Sequence, residues 1–352
     1  MKYSGQIVHL FGWDQKFVPP FIAYIQAHFP VEDHHFIIYG ATPDGELPNS
    51  KHVTQYPSLL KNLKPLLRHM RSAGKIILHG LFSSHMYYAL AMHPWLLRKC
   101  YWVIWGGDLY IHNADRDDWR HRKNEWLRRF MISRLGHFVT YIKGDYELAR
   151  QWYNARGKYH ECMMYPSNVF DPQILANTQG EKEVHSGQNI LVGNSADPSN
   201  NHIEVLEKLL PYKGQDIRIY VPLSYGDQGH AQKVIEQGSQ RFDDKFIPIT
   251  SFMKFDKYLR FLESIDIAIF NHRRQQAMGI TITLLALGKT IYMRSDVNQW
   301  KYLTEVGMYL KSVSELSLTS LSEKEAMENA KLARSYFSKK RLAEQLSDIF
   351  RS

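Results

Sequence analysis

The chain has 352 residues, 44% of them apolar and 22% charged, and a formal net charge of +9. That length and apolar content suit two globular domains and exclude a disordered chain. No run approaches the roughly 18 apolar residues of a membrane-spanning helix, and the positive charge asks for an anionic partner. Met1 to Leu10 enters a strand pattern at once, without the layout of a signal peptide, which points to the cytoplasm. Cys100 and Cys162 sit in apolar surroundings and read as buried thiols.

The first half alternates strand and helix patterns. Strands are predicted at Gln6–Leu10, His35–Tyr39, Lys75–His79, Tyr101–Trp105, Phe138–Ile142 and Cys162–Tyr165. Helices are predicted at Phe17–His28, with Pro19 and Pro20 in the first turn, at Tyr56–Arg71 and around Met86–Met92. Phe170 to Gln188 lacks periodicity. The second half repeats the alternation, with strands at Ile190–Val192, Ile217–Val221, Phe246–Thr250, Ile265–Phe270 and Thr290–Met293. Glu323 to Arg351 reads as one or two amphipathic helices. The expected organisation is a Rossmann-like domain at 1–170, a linker at 171–187, a second Rossmann-like domain at 188–322 and C-terminal helices at 323–352. The fold class is α/β, with two parallel sheets facing a cleft.

Three loops of the second half follow strands. Gly193, Asn194 and Ser195 break an apolar run, and a helix pattern begins near Asn200 and Asn201. Val221 to Gly226 ends another strand and carries Tyr225, suited to stacking on a base or sugar. His272 to Thr281 carries Arg273, Arg274, Gln275, Gln276, Gly279 and Thr281. Helix N-termini, hydroxyls, amides and arginines suit a diphosphate joined to a polar group. The competing reading is ordinary strand-to-helix connections with solvated charge. In the first half, Trp105-Gly106-Gly107-Asp108 places Asp108 beyond a strand, as a general base, a hydroxyl-binding group or a helix cap. His79 closes a strand and is a second catalytic candidate beside a structural role. No metal signature, Gly-x-Gly-x-x-Gly or phosphate-binding P-loop occurs. Zinc fingers, helix-turn-helix signatures and single-strand stacking motifs are absent, so nucleic acid is not the expected partner. Lys61, Lys64, Arg68 and Arg71 flank a leucine-rich face. Arg116 to Arg134 holds seven cations among Trp119, Trp126, Phe130 and Met131. Cationic helices with tryptophan suit an anionic membrane surface, against the alternative of ordinary surface helices.

At these motifs the chain resembles the TDP-4-acetamido-4,6-dideoxygalactose (TDP-Fuc4NAc):lipid II transferases of enterobacterial common antigen synthesis. The similar stretches are Ile104–Tyr110, Ile190–Ser195 through Ser199–Ile203, Val221–Gly226 and Arg274–Thr281. The resemblance implies a GT-B fold and a nucleotide-sugar donor in the C-terminal domain. It implies a polyprenyl-diphosphate-linked saccharide acceptor in the N-terminal domain, and a peripheral enzyme on the cytoplasmic face of the bacterial inner membrane. The paired carboxylates seven residues apart that mark many GT-B transferases are not evident; Gln275 and Gln276 stand near the first position. A deoxyribose donor has no 2′-hydroxyl for a ribose carboxylate to hold, which accords with a thymidine nucleotide. The residues expected to hold the donor are Gly193, Asn194, Ser195, Asn200, Asn201, Tyr225, Arg274, Gln275, Gln276, Gly279 and Thr281, and no metal or further cofactor is expected. The alternatives are a GT-B transferase using another nucleotide sugar for O-antigen or capsule, and a catalytically silent GT-B assembly partner.

Overall fold

The computed structural model describes residues 5–40, 50–113, 118–171 and 186–352. Asp115-Arg116-Asp117 and most of the expected linker fall outside them. The chain divides into two compact units. Unit 1 is Met1–Asn168 with Lys339–Ser352, and unit 2 is Val169–Ser338. The last helical segment is therefore split. Its first half stays with unit 2, whereas its second half joins unit 1.

Unit 1 carries a seven-stranded parallel sheet in the order β3-β2-β1-β4-β5-β6-β7. The strands are β1 (Ile7–Gly12), β2 (His34–Tyr39), β3 (Val53–Tyr56), β4 (Lys75–His79), β5 (Cys100–Val103), β6 (His137–Val139) and β7 (Lys158–His160). The helices are α1 (Val18–His28), α2 (Leu63–Ser72), α3 (Ser84–Ala91), α4 (Gly107–Tyr110), α5 (Trp119–Ile132) and α6 (Lys143–Tyr153). Its central strands are buried on both faces and largely apolar, as two covering helical layers require, with His9 and His79 as the polar members. Two expectations change here. Tyr56 ends the edge strand β3 instead of opening a helix, and α2 starts seven residues later. Cys162–Tyr165 is not a strand: Met164 sits at φ +63°, which breaks an extended run, and β7 precedes it.

Unit 2 carries a six-stranded parallel sheet in the order β10-β9-β8-β11-β12-β13. Its strands are β8 (Gln188–Val192), β9 (Ile217–Pro222), β10 (Phe246–Ile249), β11 (Ile267–Phe270), β12 (Thr290–Met293) and β13 (Lys311–Ser312). Its helices are α7 (His202–Leu209), α8 (Gln228–Phe242), α9 (Phe255–Ser264), α10 (Met278–Ala286), α11 (Asn298–Val306) and α12 (Glu323–Tyr336). A reciprocal Ser322–Glu325 capping box starts α12. The final helix, α13 (Lys339–Arg351), belongs to unit 1. Lys75 donates to the Ile349 carbonyl at 3.1 Å, and Gln345 accepts from Met163 N–H at 3.0 Å. Phe350 packs edge-on against Phe29 and His34.

Both sheets reverse their strand order once, between β1 and β4 and between β8 and β11. In open parallel sheets, ligands bind at the carboxyl end of the strands beside such a reversal. That rule directs attention to the loops after β8 and β11 in unit 2, and after β4 and β5 in unit 1.

Candidate active site

In unit 2 the apolar run Ile190–Val192 is fully buried and ends at Gly193. Gly193 has φ +69°, and a Cβ there would lie 2.7 Å from His202 Nε2 and 2.8 Å from Asn200 Oδ1. Only glycine lets the chain turn this tightly against the start of α7. Asn200 then locks the turn. Its Oδ1 accepts the Asn194 N–H at 3.0 Å, while its Nδ2 donates to the Ser195 and Asp197 carbonyls. With Oδ1 fixed as the acceptor, the nearby His272 Nε2, 3.1 Å away, carries the proton. Burial pushes His272 and His202 down to about 3, so both rings are neutral at neutral pH.

The loops after β8, β9 and β11 are bonded to one another. Ser199 Oγ donates to Gln276 Oε1 at 2.7 Å, and Gln276 Nε2 donates to Asn194 Oδ1 at 3.0 Å. Asn194 Nδ2 reaches the Tyr225 hydroxyl at 3.2 Å. Asn201 Nδ2 donates to the Asn271 carbonyl at 2.8 Å, and Arg274 pairs with Asp197 at 3.3 Å. Ala196 and Gly226 form a parallel bridge between the first two loops. Both helices beside the reversal begin after a left-handed residue, Asn201 at φ 51° and Ala277 at φ 56°. Asparagine tolerates that conformation, whereas alanine is strained there by roughly 1–2 kcal/mol. Such strain is stored where a loop must be held in one shape.

Gly193, Asn194, Ser195, Asn200, Asn201, Tyr225, Arg274 and Gln276 are thus gathered in one loop cluster. Their burial differs. Tyr225 is 48% exposed, whereas Asn200 and Ser195 are enclosed and act as loop supports. Gln275 is buried, and its Oε1 has no hydrogen-bond partner among the described residues. Thr281 departs from the expected contact role. Its side chain is fully buried, with its hydroxyl donating to the Ala277 carbonyl and accepting from Gln299. Gly279 lies within α10, where its carbonyl accepts from Thr283. Sequence reasoning missed Asp197 and Gln299. Gln299 joins Thr281 to the Gln276 N–H from a helix that follows β12, and no local pattern marks it.

The unit 1 candidates have a different character. Asp108 is completely buried. Its Oδ2 accepts from Leu81 N–H at 2.8 Å and the Trp102 indole at 2.6 Å, and its Oδ1 accepts from Trp105 N–H at 2.9 Å and Leu109 N–H at 3.0 Å. Burial raises its pKa against the pull of these donors and of Arg128. Four donors leave it no free lone pair facing solvent, so it pins loops rather than serving as a base. Arg128 completes the clamp, donating to the Leu81 and Asp108 carbonyls and to the Tyr87 and Tyr153 hydroxyls. His79 is likewise enclosed. It belongs to a buried chain in which His34, His9, His79 and Tyr165 are linked at 2.9, 3.1 and 2.7 Å. Trp105 donates to Tyr165 at 2.8 Å. Burial holds the His79 pKa far below its ordinary value, so the ring is a neutral part of the core.

Residues 26–338 match the family described as 4-alpha-L-fucosyltransferase, glycosyl transferase group 56. The chain belongs to this family. It is therefore a nucleotide-sugar glycosyltransferase, with a sugar donor and a glycosyl acceptor as its substrates. The fold of this group 56 transferase is similar to that of a glycosyltransferase from Rickettsia africae at 13% identity and TM-score 0.64, over 99% of this chain and 98% of that one. WaaG, a glycosyltransferase involved in lipopolysaccharide biosynthesis, matches at 12% identity and TM-score 0.64, over 98% and 99%. Sucrose-phosphate synthase from Thermosynechococcus elongatus matches at 11% identity and TM-score 0.65, over 98% of each chain. The architecture is GT-B.

The transferase also presents cationic and aromatic surface in unit 1. Trp119 and Trp126 on α5 are 64% and 66% exposed, and Arg120, Arg122, Lys123 and Arg129 of the same helix are exposed. On α2, Lys64, Arg68 and Arg71 face solvent while Leu66, Leu67 and Met70 pack inward. Arg128 is the exception among the expected surface cations, because it is buried in the clamp on Asp108. Among the described residues, no helix is long and apolar enough to cross a membrane.

Proposed function

We propose that this enzyme transfers an amino-deoxy sugar, Fuc4NAc from TDP-Fuc4NAc, to a polyprenyl-diphosphate-linked saccharide at the inner-membrane surface, in enterobacterial common antigen synthesis. The observation that carries the donor assignment is the loop cluster at the strand-order reversal of unit 2. Asn194, Gln276, Ser199 and Tyr225 form a polar, uncharged surface beside Arg273 and Arg274. In this reading, amides and Tyr225 meet the base and sugars. The arginines and the starts of α7 and α10 meet the diphosphate. Gln275 and Gln276, where a carboxylate would hold a ribose 2′-hydroxyl, favour a deoxyribose. The family's fucosyl description and the motif resemblance support a 6-deoxy sugar. Cations at the diphosphate offset the leaving-group charge, so the reaction is proposed to need no divalent ion.

A thermal-shift series with TDP, UDP, GDP, ADP and CMP, with and without magnesium, tests this. The expected result is stabilisation by TDP above the others, unchanged by metal. Stabilisation by UDP or GDP instead keeps the transferase and replaces the sugar, making O-antigen or capsule the relevant product.

The membrane part of the proposal rests on α2 and α5. Reversing Arg122 and Arg129 to glutamate is expected to weaken binding to phosphatidylglycerol-containing vesicles at least about tenfold, since each surface cation contributes about 1 kcal/mol. Sedimentation with vesicles measures it, and equal binding by the variant removes the membrane role from this helix.

A further inference from the structure

Three arginines stand at the carboxyl edge of the unit 2 sheet. Arg294 forms a two-point pair with Asp296 at 2.9 and 2.5 Å, closed within its own loop. Arg273 is exposed and acts electrostatically on the same Asp296. Arg274 differs from both. It reaches from the loop after β11 to the loop after β8, where one guanidinium nitrogen meets Asp197 Oδ2 at 3.3 Å. Its Nη1 donates to the Gln275 carbonyl at 3.2 Å. The pair is half exposed, with the side chains 21% and 42% accessible.

Asp197 divides its work between its two oxygens. Oδ1 accepts the Ser199 N–H at 2.8 Å and caps the short helical turn Pro198–Asn200. Oδ2 pairs with Arg274, and the Ser199 side chain also stabilises the ionised carboxylate. Capping needs one acceptor and no charge. The cap therefore does not need the negative charge, which stands beside Arg274 on the loop after β11. A guanidinium binds carboxylate and phosphate with the same fork, so the two anions compete for it. The other titratable groups facing Asp197 are His272, His202 and His230, and burial lowers the pKa of all three.

We propose that Asp197 is a resident substitute for the diphosphate. It holds Arg274 in the site while the site is unoccupied, yields it to the donor, and sets how tightly the diphosphate end of donor and product is retained. The proposal rests on the assignment of these loops to the donor. Its consequence is a weakened grip on the product nucleoside diphosphate, because a carboxylate remains within reach to reclaim the arginine.

Asp197→Asn separates the two oxygens, keeping the cap and removing the charge. Calorimetric titration with TDP and with thymidine reads the effect. Asp197→Asn is expected to tighten TDP about fivefold, the upper worth of a half-exposed ion pair, and to leave thymidine unchanged. Arg274→Gln is expected to weaken TDP, and the double variant to match Arg274→Gln alone, since Asp197 acts through the arginine. Equal weakening of TDP and thymidine in Asp197→Asn reduces Asp197 to a cap and overturns the proposal. Tightening that persists without Arg274 overturns it too, as does unchanged TDP binding. Asp197→Ser, which also caps, replaces the asparagine variant if the latter does not fold. A folded wild-type protein that binds neither TDP nor UDP overturns the donor assignment itself, a result distinct from the others.

Discussion

Asp108→Ala is expected to cost about 3–5 kcal/mol of stability, the usual penalty for removing one partner from a buried charged network. The alanine leaves four N–H donors without an acceptor, from Leu81, Trp102, Trp105 and Leu109. It also removes the carboxylate from beside the buried Arg128. Asp108→Asn does not rescue it, because one oxygen becomes an NH2 group facing two N–H donors. Urea unfolding measures the loss, and activity is expected to fall in step with the folded fraction. A variant that keeps wild-type stability while losing turnover returns Asp108 to the chemistry.

Acidification below about pH 6.5 is expected to destabilise unit 1 through its buried histidines. Inside the sheet His9 lies between His34 and His79 and bonds to both. Burial drives the His34 pKa down to about 4. Burial also holds His9 and His79 well below the ordinary value, reinforced in His9 by the neighbouring rings. These groups are neutral in the folded chain and take up protons near pH 6.5 once unfolded. Their contribution is complete above pH 6.5 and is lost as the pH falls from there towards 4. Each costs up to about 1.4 kcal/mol per pH unit, in coupled steps. Unfolding free energy is expected to drop by several kcal/mol between pH 7 and pH 5. Urea curves at fixed pH values measure the slope, and His34→Phe is expected to flatten it. A flat profile in the wild type contradicts this account of the core.

The alternation of strands and helices was legible because central parallel strands are largely apolar on both faces, and Lys75–His79 and Thr290–Met293 coincide with their expected bounds. Edge strands were not, apart from Phe246–Ile249 of unit 2, which carries an apolar run. Val53–Tyr56 and Lys158–His160 are polar on exposed sides and carry no apolar run. The unit 2 loops were legible because small and amide residues follow buried strands. For Asp108 and His79 the sequence leaves a structural and a catalytic reading side by side, for one reason. Whether a polar residue at a strand end faces solvent depends on partners far along the chain, here Arg128 for one and His9 and Tyr165 for the other. Thr281 fits a binding loop by position alone, but the helical turn directs its hydroxyl back to Ala277.

The return of α13 to unit 1 bears on how the chain is made. Phe350 closes over His34 and Phe29, so that part of the core lacks a wall until the last helix has left the ribosome. All of unit 2 is synthesised first, an interval on the order of ten seconds or more at ordinary translation rates. During it the His34 face of the first sheet lies open, while unit 2, whose sheet comes from one continuous segment, has everything it needs to close. The order of maturation is then the reverse of the order of synthesis.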